Sequence, residues 1–205
     1  MRWWKLSDVT AGADPFHGMR PKIGVMGSCS EPISDYARRK AFALGEAIAA
    51  SDSVLITGAS PGLPYEAVLG AKTRGGMTIG ISPGLSLAEH ITKYGSPRQG
   101  FDVLIYTGSG LMGREVENIR SSDIVVIVGG RSGTLGEFAI AYDEGKLIGV
   151  LRGTGGIADE IEMLATVCAK ETGGHIIYGT EPAVLLGDLL TFYRTVHCGH
   201  PSCFG

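Results

Sequence analysis

The chain has 205 residues, 44% of them hydrophobic, with 32 glycines and a formal net charge of −3. That length suffices for one domain with a sizeable core, and the slightly acidic balance gives no sign of a basic nucleic-acid-binding surface. No apolar run approaches the ~18 residues that a membrane span needs, and Cys29, Cys168, Cys198 and Cys203 are scattered rather than set in a disulfide framework, which points to a reducing, cytoplasmic setting.

Residues 1–20 lack the apolar centre of a signal peptide. They read as an extension, with Trp3 and Trp4 either packed on the body or a partner subunit, or part of a mobile tail. The domain proper is expected over 21–196. Its first strand, 22–28, ends in a turn, and Gly27, Ser28, Cys29 and Ser30 stand at the carboxyl end, where open α/β sheets bind ligands. Cys29 has no histidine near it in sequence, so a small buried thiol is the reading preferred over a nucleophile.

A helix follows over about 34–50. Ala37, Ala41, Leu44 and Ile48 form one apolar stripe, and Ser34 is a suitable N-cap. A second strand, 54–57, opens into a loop carrying Gly58 and Gly62 and then a helix over about 65–74, with Pro64 suited to its first position. Residues 77–81 and 101–106 read as strands three and four, with an irregular or short helical stretch between them. A turn at 107–110 leads into a helix bearing Arg114.

The apolar run 124–128 is a fifth, buried parallel strand. Gly129, Gly130, Arg131, Ser132, Gly133 and Thr134 form the turn after it, and another helix follows. Such a turn brings backbone close to a ligand, and the helix start offers free N–H groups and partial positive charge for an anion. Glu137 falls in or near the first turn of that helix, where the dipole is expected to keep it ionised. Residues 147–151 read as strand six, 152–156 as a further glycine turn, 175–178 as strand seven and 181–194 as the last helix. This alternation predicts a single-domain, Rossmann-like, doubly wound α/β fold of about seven mainly parallel strands. In the tail, 197–205, His197, Cys198, His200 and Cys203 are metal-ligand residue types. Packed within seven residues with no second half elsewhere, they suit a frayed terminus better than structural zinc.

Residues 129–137 resemble the P-G-G-x-G-T-x-x-E signature of the LOG family, the cytokinin-activating phosphoribohydrolases once called lysine decarboxylases. Gly130, Gly133, Thr134 and Glu137 match, whereas Gly129 and Arg131 replace the proline and the second glycine. Arg114, Glu117, Arg120, Ser122 and Asp123 match the family's R-K-x-E-x-x-R-x-S-D segment at the same spacing. The 58–63 loop is similar to its phosphate-wrapping G-G-G-x-x-G-L stretch at Gly58, Gly62 and Leu63. The resemblance implies Arg114 and Glu137 as the catalytic pair and a homodimer paired through helices beside the site, with Phe138 and Tyr142 as candidate interface residues. A second resemblance, at Ala141-Tyr142, Gly145-Lys146 and 151–156, is to the molybdenum-cofactor carrier proteins, which bind a pterin-nucleotide-like cofactor without turning it over.

Hydrolysis of an N-glycosidic bond passes through an oxocarbenium-like ribose, which a carboxylate such as Glu137 stabilises. Arg114 would clamp phosphate or orient Glu137. The 5′-phosphate would rest on the N–H groups of Gly130, Ser132, Gly133 and Thr134. No metal or redox cofactor is needed. Two readings stay open: a nucleoside 5′-monophosphate phosphoribohydrolase, and a non-catalytic nucleotide or molybdenum-cofactor carrier, for which Arg131 and 151–156 speak. The structural alternative for Arg114 and Glu137 is an ion pair bracing two helix starts.

Overall fold

The computed structural model describes residues 18–30 and 32–197. Trp3, Trp4 and the tail residues Cys198, His200 and Cys203 lie outside these. The elements alternate throughout: β1 Lys22–Gly27, α1 Asp35–Ala50, β2 Val54–Thr57, α2 Leu63–Thr73, β3 Thr78–Ser82, α3 Leu87–Thr92, β4 Val103–Tyr106, α4 Gly110–Arg120, β5 Ile124–Val128, α5 Ser132–Asp143, β6 Leu147–Leu151, α6 Ile157–Cys168, β7 His175–Gly179 and α7 Pro182–Thr195. All seven strands join one sheet in the order β4-β3-β2-β1-β5-β6-β7. Every pairing is parallel, so the doubly wound fold is as expected and its sheet wholly parallel. The winding reverses between β1 and β5, and the crevice at that switch point is where such sheets hold ligands.

The strands supply core to both faces. On β5, Ile124, Val126 and Val128 join the core under α1, α2 and α7, while Val125 and Ile127 join the core under α4, α5 and α6. That is the two-residue alternation of a strand buried on both sides. The stripe read on α1 is buried as expected, and Ser34 caps it, its Oγ accepting from the Ala37 N–H. Two glycines set how closely α1 and α2 approach: a Cβ on Gly45 would strike the Ala67 carbonyl, and one on Gly70 the Phe42 carbonyl.

Several boundaries differ from the sequence reading. The helix α6 had not been read at all; it buries only Ala158 and Ile161, too narrow a stripe to stand out. The helices α4 and α5 begin at Gly110 and Ser132, earlier than expected, so part of each predicted turn is helix. Phe138 is 2% exposed and lies in the molecule's own core, its ring stacked on Tyr142 at 5.7 Å. It is therefore not an interface residue, and the Tyr142 hydroxyl donates to the Lys170 carbonyl. The His197 ring packs against His175 and Tyr193.

Candidate functional site

The loops after β1, β2, β5 and β6 converge at the carboxyl edge of the sheet, and two cavities open there. One, of about 360 Å³, is lined by Gly27, Ser28, Arg114, Arg131, Ser132, Gly133, Thr134 and Glu137, together with Cys29, Ser30, Ser60, Leu111, Met112 and Glu115. The other, of about 660 Å³, is bounded by Gly130, the 153–156 turn, Asp159 and the 32–34 loop. They meet at Ser28 and Arg131, which line both. The first cavity thus gathers most of the residues singled out from the sequence.

Gly58 and Gly62 line neither cavity, contrary to their expected part in phosphate binding. A Cβ on Gly58 would fall on the Arg114 guanidinium, so this glycine makes room for that side chain. Gly62, at φ +88°, lies against the Ser28 carbonyl, which accepts from the Leu63 N–H at 2.8 Å. Of this loop only Ser60 reaches the cavity wall, while Gly58 and Gly62 serve close packing.

The glycine turn after β5 is fastened from two sides. The Gly129 N–H donates to Thr154 Oγ1 at 2.8 Å and the Gly130 N–H to Ser28 Oγ at 2.7 Å. The Gly130 N–H, expected to hold phosphate, is therefore already taken. The N-terminus of α6 is closed too: Ile157 and Ala158 donate to the carbonyls of Gly130 and Gly129, and Asp159 accepts from Gly153 and Gly155 at 2.7 and 2.9 Å. The start of α5 is different. Its N-cap, Arg131, makes no capping side-chain bond, so the N–H groups of Ser132, Gly133 and Thr134 face the first cavity as the unsatisfied end of a helix.

Three charged side chains lie on the floor of this cavity: Arg114 and Glu115, each 6% exposed, and Glu137, 7% exposed. Arg114 Nε has no hydrogen-bond partner, and among the described residues no ion pair within 4.0 Å includes any of the three. The bracing ion pair, weighed as the structural alternative, is thus not formed by direct contact among the described residues. Glu137 sits in the second turn of α5, not the first. Burial pushes its carboxyl up to about 7, opposed by the Arg114 charge and reinforced by Glu115. The helix dipole was expected to keep it ionised; desolvation opposes a dipole acting mainly within the first turn, and the group is left to titrate near neutrality. Burial likewise raises Glu115, against the pull of Arg114. Cys29 is exposed at the cavity mouth rather than buried. Partial desolvation and the nearby Glu137 push its thiol up, which makes it a poor nucleophile.

Glu115 was not found from the sequence. The signal lies in α5, where Gly133 and Gly136, one turn apart, leave a groove. The Glu115 carboxylate fills it, 3.5 and 3.0 Å from where their Cβ atoms would be. Among the described residues no group of three or more His, Cys, Asp or Glu side chains is placed to hold a metal.

A model of the SLOG cluster4 family matches residues 20–186. The chain belongs to the SLOG cluster4 family. This agrees with the resemblance to LOG proteins carried by the motifs at 114–123 and 129–137, and with the resemblance to the neighbouring carrier branch at 141–142, 145–146 and 151–156. An uncharacterised protein of Archaeoglobus fulgidus is 35% identical to this SLOG protein over 131 residues, 64% of this chain and 80% of the relative. Among solved structures, a molybdenum cofactor binding protein from Rippkaea orientalis is 30% identical with a TM-score of 0.70, covering 85% of this chain and 97% of its own. The molybdenum cofactor carrier protein of Chlamydomonas reinhardtii is 31% identical with a TM-score of 0.68, covering 84% and 99%.

Proposed function

We propose that the protein binds a nucleoside 5′-monophosphate in the cavity at the start of α5 and hydrolyses its N-glycosidic bond to free base and ribose 5-phosphate. The observation that carries this reading is the buried Glu137 carboxyl, held near pH 7 beside Arg114. A carboxyl that titrates near neutrality suits proton transfer, whereas a site that only holds an anion gains nothing from it. The phosphate would rest on the N–H groups of Ser132, Gly133 and Thr134, with Arg131 adding charge. Glu137, ionised, would face the anomeric carbon, stabilise the oxocarbenium-like transition state as the C1′–N bond breaks, take a proton from the water that adds to C1′, and return it so that the departing base leaves protonated. Arg114, within Coulombic range of Glu137, favours that ionised form.

Incubation with AMP and N6-substituted AMPs, followed by chromatography for free base and ribose 5-phosphate, tests the reaction. Glu137→Gln should keep nucleotide binding and lose about 10²–10³ in kcat, as when one electrostatic contact to a transition state is removed. A wild type that binds nucleoside monophosphates but releases no base from any of them overturns the enzyme.

A second reading has its own support. The Gly130 N–H is closed by Ser28, which removes one expected phosphate donor, and the two solved relatives named above are a molybdenum cofactor binding protein and a carrier protein. On that reading the ligand is a pterin nucleotide such as the molybdenum cofactor, held without turnover across the two adjoining cavities. The two readings share a small-molecule ligand with a phosphate end. We also propose a homodimer, paired through the face beside the cavity where Ile105, Leu111 and Met112 are 46%, 53% and 73% exposed.

A further inference from the structure

The helix α4 carries two buried side-chain atoms without a hydrogen-bond partner, and they are complementary. Arg114 Nε is a donor with no acceptor, and Asn118 Oδ1 is an acceptor with no donor. The two residues stand one turn apart on the buried face of the helix, 6% and 0% exposed. At that spacing Cβ atoms lie about 5–6 Å from each other. The Asn118 amide is oriented by its other end, where Nδ2 donates to Met26 Sδ on β1 at 3.0 Å. A thioether sulfur accepts but does not donate, so Oδ1 is left for a donor elsewhere. Arg114 lines the ligand cavity, and Gly58 clears the space that its Nη1 takes. Asn118 lines neither cavity, so a ligand there does not meet Oδ1.

Buried polar groups are seldom left unpaired, because each costs stability. A group between these two must accept from Nε–H and donate to Oδ1. A bare cation or anion does only one of these; water does both. We propose that Asn118 is a positioning residue for Arg114, acting through a single buried water that accepts from Arg114 Nε and donates to Asn118 Oδ1. The bridge pins the guanidinium at its Nε edge and so fixes where its planar fork stands in the cavity. It also fixes the Arg114 charge that acts on Glu137 and Glu115. The inference rests on the proposed function for what Arg114 does in the cavity, not for the bridge itself.

The test uses the full chain without ligand, labelled at glutamate Cδ and arginine Nε and titrated by NMR. In wild type the Arg114 Nε–H should exchange slowly with solvent. Asn118→Leu, close in volume, removes the acceptor, and exchange should quicken about 10-fold or more, the scale of a hydrogen bond to a charged group. The loosened guanidinium then favours ionised Glu137 less, so the Glu137 midpoint should rise above about 7 by roughly half a pH unit. Asn118→Asp keeps an acceptor oxygen and should restore slow exchange. In an Arg114→Met background, Asn118→Leu should move the midpoint no further, because its effect passes through Arg114. A merely structural role lowers the melting temperature and leaves the midpoint where it was; that result, or an equal shift without Arg114, overturns the proposal. Should the leucine variant fail to show a cooperative melt, a crystal structure of the wild type decides. One ordered water within hydrogen-bond distance of both atoms supports the bridge, and a direct bond or a dry gap overturns it. No nucleotide enters these measurements. An Asn118-dependent midpoint without base release from AMP keeps the bridge and removes the hydrolase; base release with an unchanged midpoint does the reverse.

Discussion

Glu137 should leave a thermodynamic mark even without ligand. Its carboxyl is raised from the ordinary 4.5 to about 7 by burial. Between those two values the folded protein holds a proton that the unfolded chain has given up. Stability from this group therefore falls as pH rises from about 4.5 to 7, and the full penalty is present above 7. At about 1.4 kcal/mol per pH unit the penalty approaches roughly 3 kcal/mol as an upper bound. Glu137→Gln should raise the melting temperature at pH 8 and flatten its dependence between pH 5 and 8, which scanning calorimetry at the two pH values would show. A wild type that melts no lower at pH 8 than at pH 5, with an unchanged difference in the variant, would refute the buried-acid account. The same titration sets the sign of the rate profile: with the carboxylate as the working form, kcat/KM should rise with pH through about 7. A fall over that range would assign the proton-donating form instead.

Two elements invite substitution. The close approach of α1 and α2 depends on having no Cβ at position 70, where it would strike the Phe42 carbonyl. Gly70→Ala should destabilise the fold by about 1–3 kcal/mol, the usual scale of overpacking, despite the better helix propensity of alanine. Urea unfolding measures it, and an unchanged midpoint would show that the two helices separate at little cost. At the start of α5, the extended N-cap residue Arg131 does no capping. Arg131→Asp should stabilise the protein by about 1 kcal/mol through the missing cap, yet weaken AMP binding by turning a positive charge negative at the anion end. A variant that melts higher but binds AMP as the wild type does would remove Arg131 from the site. Local pattern made α1 and β5 plain, since each buries a full stripe or run. It left α6 unseen, because only two small or medium apolar residues mark its inner face.

At the scale of the whole molecule, β4 is an edge strand with Val103, Ile105 and Tyr106 between 37% and 46% exposed. Leu111 and Met112, which line the cavity, continue this apolar area onto the start of α4. An unpaired apolar sheet edge beside a ligand cavity is a surface that a second subunit commonly covers. Sedimentation at micromolar concentration should show a dimer, and Met112→Glu should shift it toward monomer while the melt stays cooperative. A monomeric wild type would remove the proposed pairing. No helix among the described residues is long and apolar enough to cross a membrane.

Arg114 and its pairing with Glu137 came from the resemblance to the LOG family. The alternation of strands and helices apart from α6, the parallel sheet and the anion-suited turn from Arg131 to Thr134 were legible in the residues alone. Each follows from local periodicity or from turn chemistry at a strand's end, and an alternating chain leaves few other topologies. Which N–H groups stay open was not legible. The Gly130 N–H looked free until Ser28, 102 positions away in sequence, was found to accept from it, and Gly58 and Gly62 looked like phosphate loops until Arg114 and the Ser28 carbonyl were found against them. The charge state of Glu137 and the presence of Glu115 belong to the same class. Burial and hydrogen-bond occupancy are set by residues distant along the chain, so only the packed structure decides how strongly an acid is desolvated and which polar groups are left for a ligand.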